Sequence, residues 1–303
     1  VSTPEDPTAP FDPRYGPDEE EFRAELRAFL EERLPDRWVG IFHGPPEHLD
    51  ASFAITAEMA ERGWLTQTWP KEYGGREASI WRQMVLQEET WAYYEPRGGQ
   101  YMGVNWIGPS LIRFGTEAQR ATFLPRLAAG TVQWAQMFSE PDAGSDLANL
   151  RTRAEFKGDR FVVNGEKIWT SYGDYAEHGF LVCRTDPGSR RHAGLSVLLI
   201  DLDTPGIEVR PIRTPLGKHK LNSVSFTDVE IPADRLLGER DDGWSVAMTA
   251  LSFERTGVAR YARVSRFLGQ LERLPGAEEP DVADDIAAAL AAARAAELMN
   301  YGV

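Results

Sequence analysis

The sequence predicts an α+β protein: an N-terminal α-helical domain, a central β barrel or sandwich, and the start of a second, C-terminal helical bundle. Two observations carry that prediction. Apolar residues recur at helical spacing up to Gly130, switch to every second residue over short runs, and return to helical spacing after Asp242. The runs of period two come about ten residues apart and are separated by turn residues, the pattern of a small barrel or sandwich. A chain of 303 residues is also too long for one small core. The changes of period set the expected boundaries: a leader over 1–16, helices over 17–131, strands over 132–238 and helices over 239–303.

Each element has its own signal. The opening "VSTPEDPTAP" lacks the basic-then-apolar order of a signal peptide and reads as a disordered acidic leader. "PDEEEFRAELRAFLEERL" begins with Pro17 and acids, with Asp18 as the expected cap, and puts Phe22, Leu26, Phe29 and Leu30 on one face. "GPPEHLD" reads as a loop, and "ASFAITAEMAERGW" as a helix that stops at Gly63. After the turn "WPKEYGG", helices are expected through "IWRQMVLQEETWAYY", "WIGPSLIRFG" and "TEAQRATFLPRLAAG". The last runs from a Thr116 cap, with Gln119 at the capping-box position, to Gly130.

Strands are then expected in "VQWAQMF", "TRAEFK", "RFVVNGEKIWTS", "GFLVCRTD", "GLSVLLIDL", "IEVRPI" and "NSVSFTDVEI", with early turns at Gly158-Asp159 and Asn164-Gly165. The helical period resumes in "GWSVAMTALSFERTGVARYARVSRFLGQL". A linker, "PGAEEPDVADD", leads to the Ala-rich helix "IAAALAAARAAELMNYG".

Composition narrows the function. A formal net charge of -14 and a pI of about 4.9 exclude a nucleic-acid or anionic-membrane surface. No apolar run approaches the roughly 20 residues of a membrane-spanning helix. Cys183 is the single cysteine, so no disulfide forms within the chain; a reducing cytoplasm is expected, with the thiol in the core. His43, His48, His178, His192 and His219 have no mutual metal-ligand spacing, and no metal site is expected.

One stretch carries more than punctuation. "FSEPDAGSDLANL" crowds acids, glycine and hydroxyls between a strand and a hairpin, and by itself a Pro-Asp-Ala-Gly turn would explain it. Taken in order with "GEKIWTS", "VEIPADRLLG" and "GWSVAMTALSFERTGVA", it resembles the acyl-CoA dehydrogenase family over residues 20 to 265. The resemblance implies FAD as cofactor and an acyl-CoA thioester as substrate, oxidised between the α and β carbons to a trans-2-enoyl-CoA. It makes Gln136, Phe138, Ser139, Gly144, Ser145, Trp169, Thr170 and Ser171 the expected flavin neighbours, with Ser145 also at the thioester. Small donors suit that place because the reduced ring collects negative charge that fixed dipoles stabilise. Trp169 and Ser171, as alternate strand residues, are expected on one side.

The family places its catalytic glutamate at one of two positions, and Glu254 in "LSFERTGV" stands at the one on the helix after the barrel. A positioned carboxylate there would take the α-proton, and Ser252, Phe253 and Arg255 would line the acyl pocket. Without the resemblance, Glu254 and Arg255 read as an ordinary helix pair. Arg190 and Arg191 in "PGSRRHAG" read as a solvated hairpin tip, with the ribose phosphate of CoA as the alternative.

Two features depart from the family pattern. "QLERLPGAEEP" lacks the Phe-Gly of the bundle motif whose Arg reaches a neighbouring subunit's FAD, and the bundle over 239–303 is incomplete. These departures resemble subunits of the actinobacterial heteromeric dehydrogenases that act on CoA thioesters of steroid side chains. They imply a homologous partner in a heterotetramer, as against a homotetramer, a bulky acyl group, and an electron-transfer flavoprotein as acceptor. A structural subunit completing a partner's flavin site, or an acyl-CoA oxidase, are the alternative readings.

Overall fold

The structure, a computed structural model, describes residues 15–214, 217–256 and 259–301. The expected leader therefore lies outside the described residues as far as position 14. Its last two residues belong to the fold, with Tyr15 packed edge-on against Trp81 and Tyr301.

The N-terminal helices are α1 (Pro17–Arg33), α2 (Gly40–His43), α3 (Glu47–Glu61), α4 (Ile80–Ala92), α5 (Gln100–Met102), α6 (Gly108–Phe114) and α7 (Glu117–Ala128). In α1 the predicted face of Phe22, Leu26, Phe29 and Leu30 is buried. Asp18 is not its cap. The helix starts from Gly16 with Pro17 at its first position, and Asp18 instead sets its charge against the positive end of the helix dipole. α3 begins at Glu47, so the second half of "GPPEHLD" is helical; the prolines that suggested a loop pre-set the backbone for a first turn. α7 has both bonds of the Thr116–Gln119 capping box. The Gln119 amide also donates to the carbonyls of Asp234 and Leu236, at 2.7 and 2.8 Å, which ties the helices to the β region.

Between α5 and α6 the chain winds as a π-helical turn over Gly103–Ile107. Trp69 lies across it, its indole N–H donating to the Val104 carbonyl at 3.1 Å. A Cβ at Gly108 would stand 2.1 Å from that ring, so this close crossing needs glycine.

The strands are β1 (Trp134–Met137), β2 (Arg153–Phe156), β3 (Arg160–Ser171), β4 (His178–Arg184), β5 (Leu195–Asp201), β6 (Ile207–Thr214), β7 (Gly217–Pro232) and β8 (Leu236–Leu237). They form one mixed sheet in the order β6-β7-β3-β2-β4-β5-β8, with β1 alongside β4. β1 and β2 pair with β4 in parallel, and the remaining pairs are antiparallel. The sheet curls around its own core, where Phe161 and Val163 of β3 and Phe226 of β7 meet Leu181, Cys183, Leu198 and Ile200. Burial there pushes the Cys183 thiol up to about 12.

Alternation along β1 serves two cores at once. Ala135 and Met137 point into the sheet's own core, whereas Trp134 and Phe138 join the core of the helices. Phe180, Val182, Val197 and Leu199 join that second core with them.

The C-terminal helices are α8 (Gly243–Thr256), α9 (Arg260–Leu271) and α10 (Pro280–Tyr301). The stretch "GWSVAMTALSFERTGVARYARVSRFLGQL", where the helical period resumes, forms the first two of these, with positions 257 and 258 outside the described residues. α10 starts at Pro280, so "DVADD" is its first turn rather than linker; Pro and acids suit a helix start as well as a loop. None of the described helices is long and apolar enough to cross a membrane.

A polar hub holds these helices to the N-terminal ones. Glu88 of α4, buried, accepts from Tyr261 of α9 and Tyr301 of α10, each at 2.7 Å, and pairs with Arg23 of α1 at 2.8 Å. Removing one partner of such a buried group leaves the others unsatisfied and costs about 3–5 kcal/mol. Glu88→Ala is therefore expected to lower the urea midpoint and to speed amide hydrogen exchange in α9 and α10 ahead of α3 and α7. Unchanged exchange there would show that apolar packing alone holds them.

Candidate active site

The loop after β1 is fixed from below by a buried ion pair. Glu140 and Lys167 approach to 2.8 Å, with Lys167 fully buried. The Glu140 carboxylate also accepts the backbone N–H groups of Arg151 and Thr152, at 2.6 and 2.9 Å. Lys167 donates as well to the Phe138 carbonyl at 2.9 Å, and the Ile168 amide donates to the Ser139 carbonyl at the same distance. Beyond them, Glu140 and Ala143 exchange backbone bonds and close a tight turn. Burial alone would raise the Glu140 carboxyl, but the ammonium and the two amides outweigh it and hold it below the usual range. The loop is thereby pinned to the second half of β3.

β3 and β7 carry two compensating bulges, and the sequence reading missed both. Between Val163 and Gly165 the partner strand has one residue too many, and Asp228 takes φ 48°. Asn164 bridges that gap, its side chain donating to the Asp228 carboxylate and accepting the Asp228 amide, both at 3.0 Å. Asn164-Gly165 is therefore a bulge inside a long strand, not the turn expected. Between Lys167 and Thr170 the extra residue is on β3, and Trp169 takes φ 60°. The alternation is interrupted before that residue, where Ile168 and Trp169 together oppose one residue of β7, and it resumes from Trp169 to Ser171. Trp169 is 54% exposed, Thr170 is buried and Ser171 half-buried. The Thr170 hydroxyl is buried without a hydrogen-bond partner.

The other predicted residues fall around this bulge. Phe138 is buried beside Phe180, and Ser139 is half-buried where the loop meets β3. Gly144 and Ser145 are exposed just past the turn, and no atom lies within 4 Å of where a Cβ on Gly144 would stand. Internal packing does not demand glycine there. Arg184 braces the far side, donating to the Ala148 carbonyl of the loop and to the Arg191 carbonyl of the β4–β5 hairpin, at 2.9 and 3.0 Å. Arg190 and Arg191 are exposed at that hairpin's tip.

α8 brings Glu254 to the same region. Gln136, on the helix-facing side of β1, donates from Nε2 to Glu254 Oε2 at 3.2 Å. Tyr101 lies close by: burial, then the carboxylates of Glu95 and Glu254, pushes its phenol well above the ordinary range. One residue along α8, Phe253 lines a 530 Å³ cavity with Trp69, Met84, Asn105, Pro109 and Ile112. Ser252 and Arg255 are exposed and do not line that cavity, and the Ser252 hydroxyl donates to the Met248 carbonyl at 2.9 Å. A second cavity of 710 Å³, between α7 and the start of β4 and end of β5, includes none of these residues. Among the described residues no three His, Cys, Asp or Glu side chains cluster as metal ligands would.

Glu140, Lys167 and Tyr101 were not anticipated. Lys167 had a legible signal, since it occupies the inward parity of Phe161 and Val163 and a charge there requires a partner.

The sequence of both the helical and the strand region matches a known family. Residues 16–131 match the acyl-CoA dehydrogenase N-terminal domain and residues 135–229 the acyl-CoA dehydrogenase middle domain. The chain is a member of the acyl-CoA dehydrogenase family, whose enzymes are FAD-dependent oxidoreductases acting on acyl-CoA.

It is 39% identical to acyl-CoA dehydrogenase IpdE1 of Mycobacterium tuberculosis, over 92% of this chain and 75% of that protein. Acyl-CoA dehydrogenase FadE26 of the same organism is 35% identical over 82% of this chain and 63% of its own length. Two solved structures share the fold. The Tcur3481-Tcur3483 steroid ACAD has TM-score 0.87 and 34% identity, covering 96% of this chain and 77% of its own. The ChsE4-ChsE5 complex of Mycobacterium tuberculosis has TM-score 0.83 and 33% identity, with the same two coverages.

The Glu140–Lys167 pair sets a pH test. A carboxyl whose folded value is depressed contributes stability that is fully present above its unfolded value, about 4.3, and is lost as pH falls through the folded value. Glu140→Gln keeps the shape but strands the Lys167 charge, at a cost of about 3 kcal/mol or more. The variant's melting temperature at pH 7 should drop by several degrees, with the gap from wild type narrowing in acid. An equal melting temperature at pH 7 would show that the pair does not hold the loop.

Proposed function

We propose that this chain carries the flavin site and the catalytic base of an acyl-CoA dehydrogenase that forms a trans-2-enoyl-CoA from a bulky, sterol side-chain-like acyl thioester. Glu254 is the base. The observation that carries this reading is the Gln136–Glu254 contact, which holds the carboxylate against the strand that leads directly into the Ser139 loop.

Around that loop, Ser139, Gly144, Ser145, Trp169, Thr170 and Ser171 fit a flavin. The unpartnered Thr170 hydroxyl, the open space at Gly144 and the exposed indole of Trp169 are features that internal packing leaves unexplained and a planar, hydrogen-bonding ring would use. FAD, when bound, supplies the acceptor for the hydride that leaves the β-carbon with its electron pair. Glu254 takes the α-proton, so the new double bond forms from the C–H pair that stays behind. Phe253 and the 530 Å³ cavity beside it have the size and apolar walls that suit a bulky acyl group. Ser145 is the residue proposed to reach the thioester; Ser252 and Arg255, being exposed, fit the mouth of the acyl site rather than its walls.

The similar structures Tcur3481-Tcur3483 and ChsE4-ChsE5 each join two different proteins by name, which supports a homologous partner subunit for this chain. The partner would supply the flavin contact that "QLERLPGAEEP", in the turn after α9, does not. An electron-transfer flavoprotein as acceptor and a cytoplasmic setting complete the proposal.

Glu254→Gln separates chemistry from binding. Flavin content should stay near wild type, while the rate at which acyl-CoA reduces the flavin under anaerobic conditions should fall about 100-fold or more. Wild-type reduction by the variant would move the base elsewhere. Assembly has its own test: co-expression with a homologous dehydrogenase subunit should give a yellow heterotetramer, and a flavin-saturated homotetramer made by this chain alone would refute the partner.

A further inference from the structure

We propose that Gln136 is the positioning residue of the catalytic base, rather than primarily a flavin ligand; the inference rests on Glu254 being that base. Gln136 sits on β1 between Trp134 and Phe138, on a face otherwise committed to the apolar core of the helices. The Gln136 side chain is half-buried there, and among the described residues its amide donates to the Glu254 carboxylate, at 3.2 Å. Glu254 lies two residues before the last residue of α8, on a long side chain with many rotamers. β1 belongs to the rigid sheet, through a four-residue parallel pairing with β4 that sets Gln136 opposite Phe180. The amide therefore transfers the rigidity of the sheet to a carboxylate at a helix end.

The chemistry of the donor matters as much as its place. An arginine at this position would hold the carboxylate as firmly, but its charge would favour the ionised form and oppose proton uptake. A neutral amide fixes the geometry without that opposition. It also serves both states of the base. While Glu254 is ionised, the amide N–H₂ donates to it. Once the α-proton has arrived, the carboxyl O–H needs an acceptor, and the other end of the same amide supplies one after turning over.

The test isolates proton abstraction from hydride transfer. In D₂O the holoenzyme is given 3,3-dimethylbutyryl-CoA, whose β-carbon bears no hydrogen, so dehydrogenation cannot follow and exchange of the α-hydrogens reports the base alone. Exchange is followed by mass spectrometry, and affinity for the same thioester by calorimetry. Gln136→Leu should slow exchange between about 10- and 100-fold, the worth of one hydrogen bond to a charged group, with affinity and flavin content within about twofold of wild type. Gln136→Met, closest to Gln in shape, should behave alike and stands in if the Leu variant folds poorly. Gln136→Glu keeps the length but places a like charge against the base, and should be slow too.

Exchange at the wild-type rate in the Leu and Met variants would overturn the proposal, as would a loss confined to flavin affinity, which would make Gln136 a cofactor ligand. A wild-type rate in Glu254→Gln would instead sink the base assignment, and is read from a different protein.

Discussion

The active-site region depends on one buried ion pair. Glu140 and Lys167 come from the two segments that must meet, the loop after β1 and the middle of β3, and no apolar contact could specify their meeting so narrowly. A buried charge pair is a poor source of net stability, since desolvating both ions offsets most of their attraction. What it provides is uniqueness. Each remaining hydrogen bond of the pair goes to a backbone group of the loop, so any other register would strand a charge in the core.

Above that pair, the two faces of the sheet divide the labour. One face closes on itself and keeps β3, β5 and β7 rigid; the other takes part in the core that also holds α8 residues Val246, Ala247 and Ala250. Glu254 reaches β1 because the helix that bears it is packed on the same face from which Gln136 projects. The carboxylate is thus tied through the amide to β1, the strand that runs into the loop.

How far the sequence shows this depends on the range of each interaction. The buried face of α1 and the Thr116–Gln119 capping box are written within a few adjacent residues, and both are legible. The stop at Gly63 and most strands are legible for the same reason, and the order of motifs is enough to point to the family. Asp18, "GPPEHLD" and "DVADD" mislead because proline and acids signal a helix start and a loop alike. The bulges are hidden for a different reason: whether Trp169 is an extra residue, or Asn164 faces one, is decided by the pairing with β7, some sixty positions away in the chain. Glu140–Lys167 and Gln136–Glu254 are likewise long-range pairs whose members look ordinary alone.

The paired bulges also decide which genetic changes the site could survive. A substitution in "GEKIWTS" alters one side chain and leaves the strand's phase intact. Deleting a single codon between Lys167 and Thr170 would remove the extra residue at Trp169 and restore simple alternation. Thr170 and Ser171 would keep their faces, still opposite Asn222 and Leu221, and the loss would fall on the bulge itself and on the left-handed turn that aims Trp169 outward. Over these few positions a change in length removes a backbone feature that no substitution removes, and homologues that keep the bulge should hold the spacing from Lys167 to Thr170 constant even where they vary its residues.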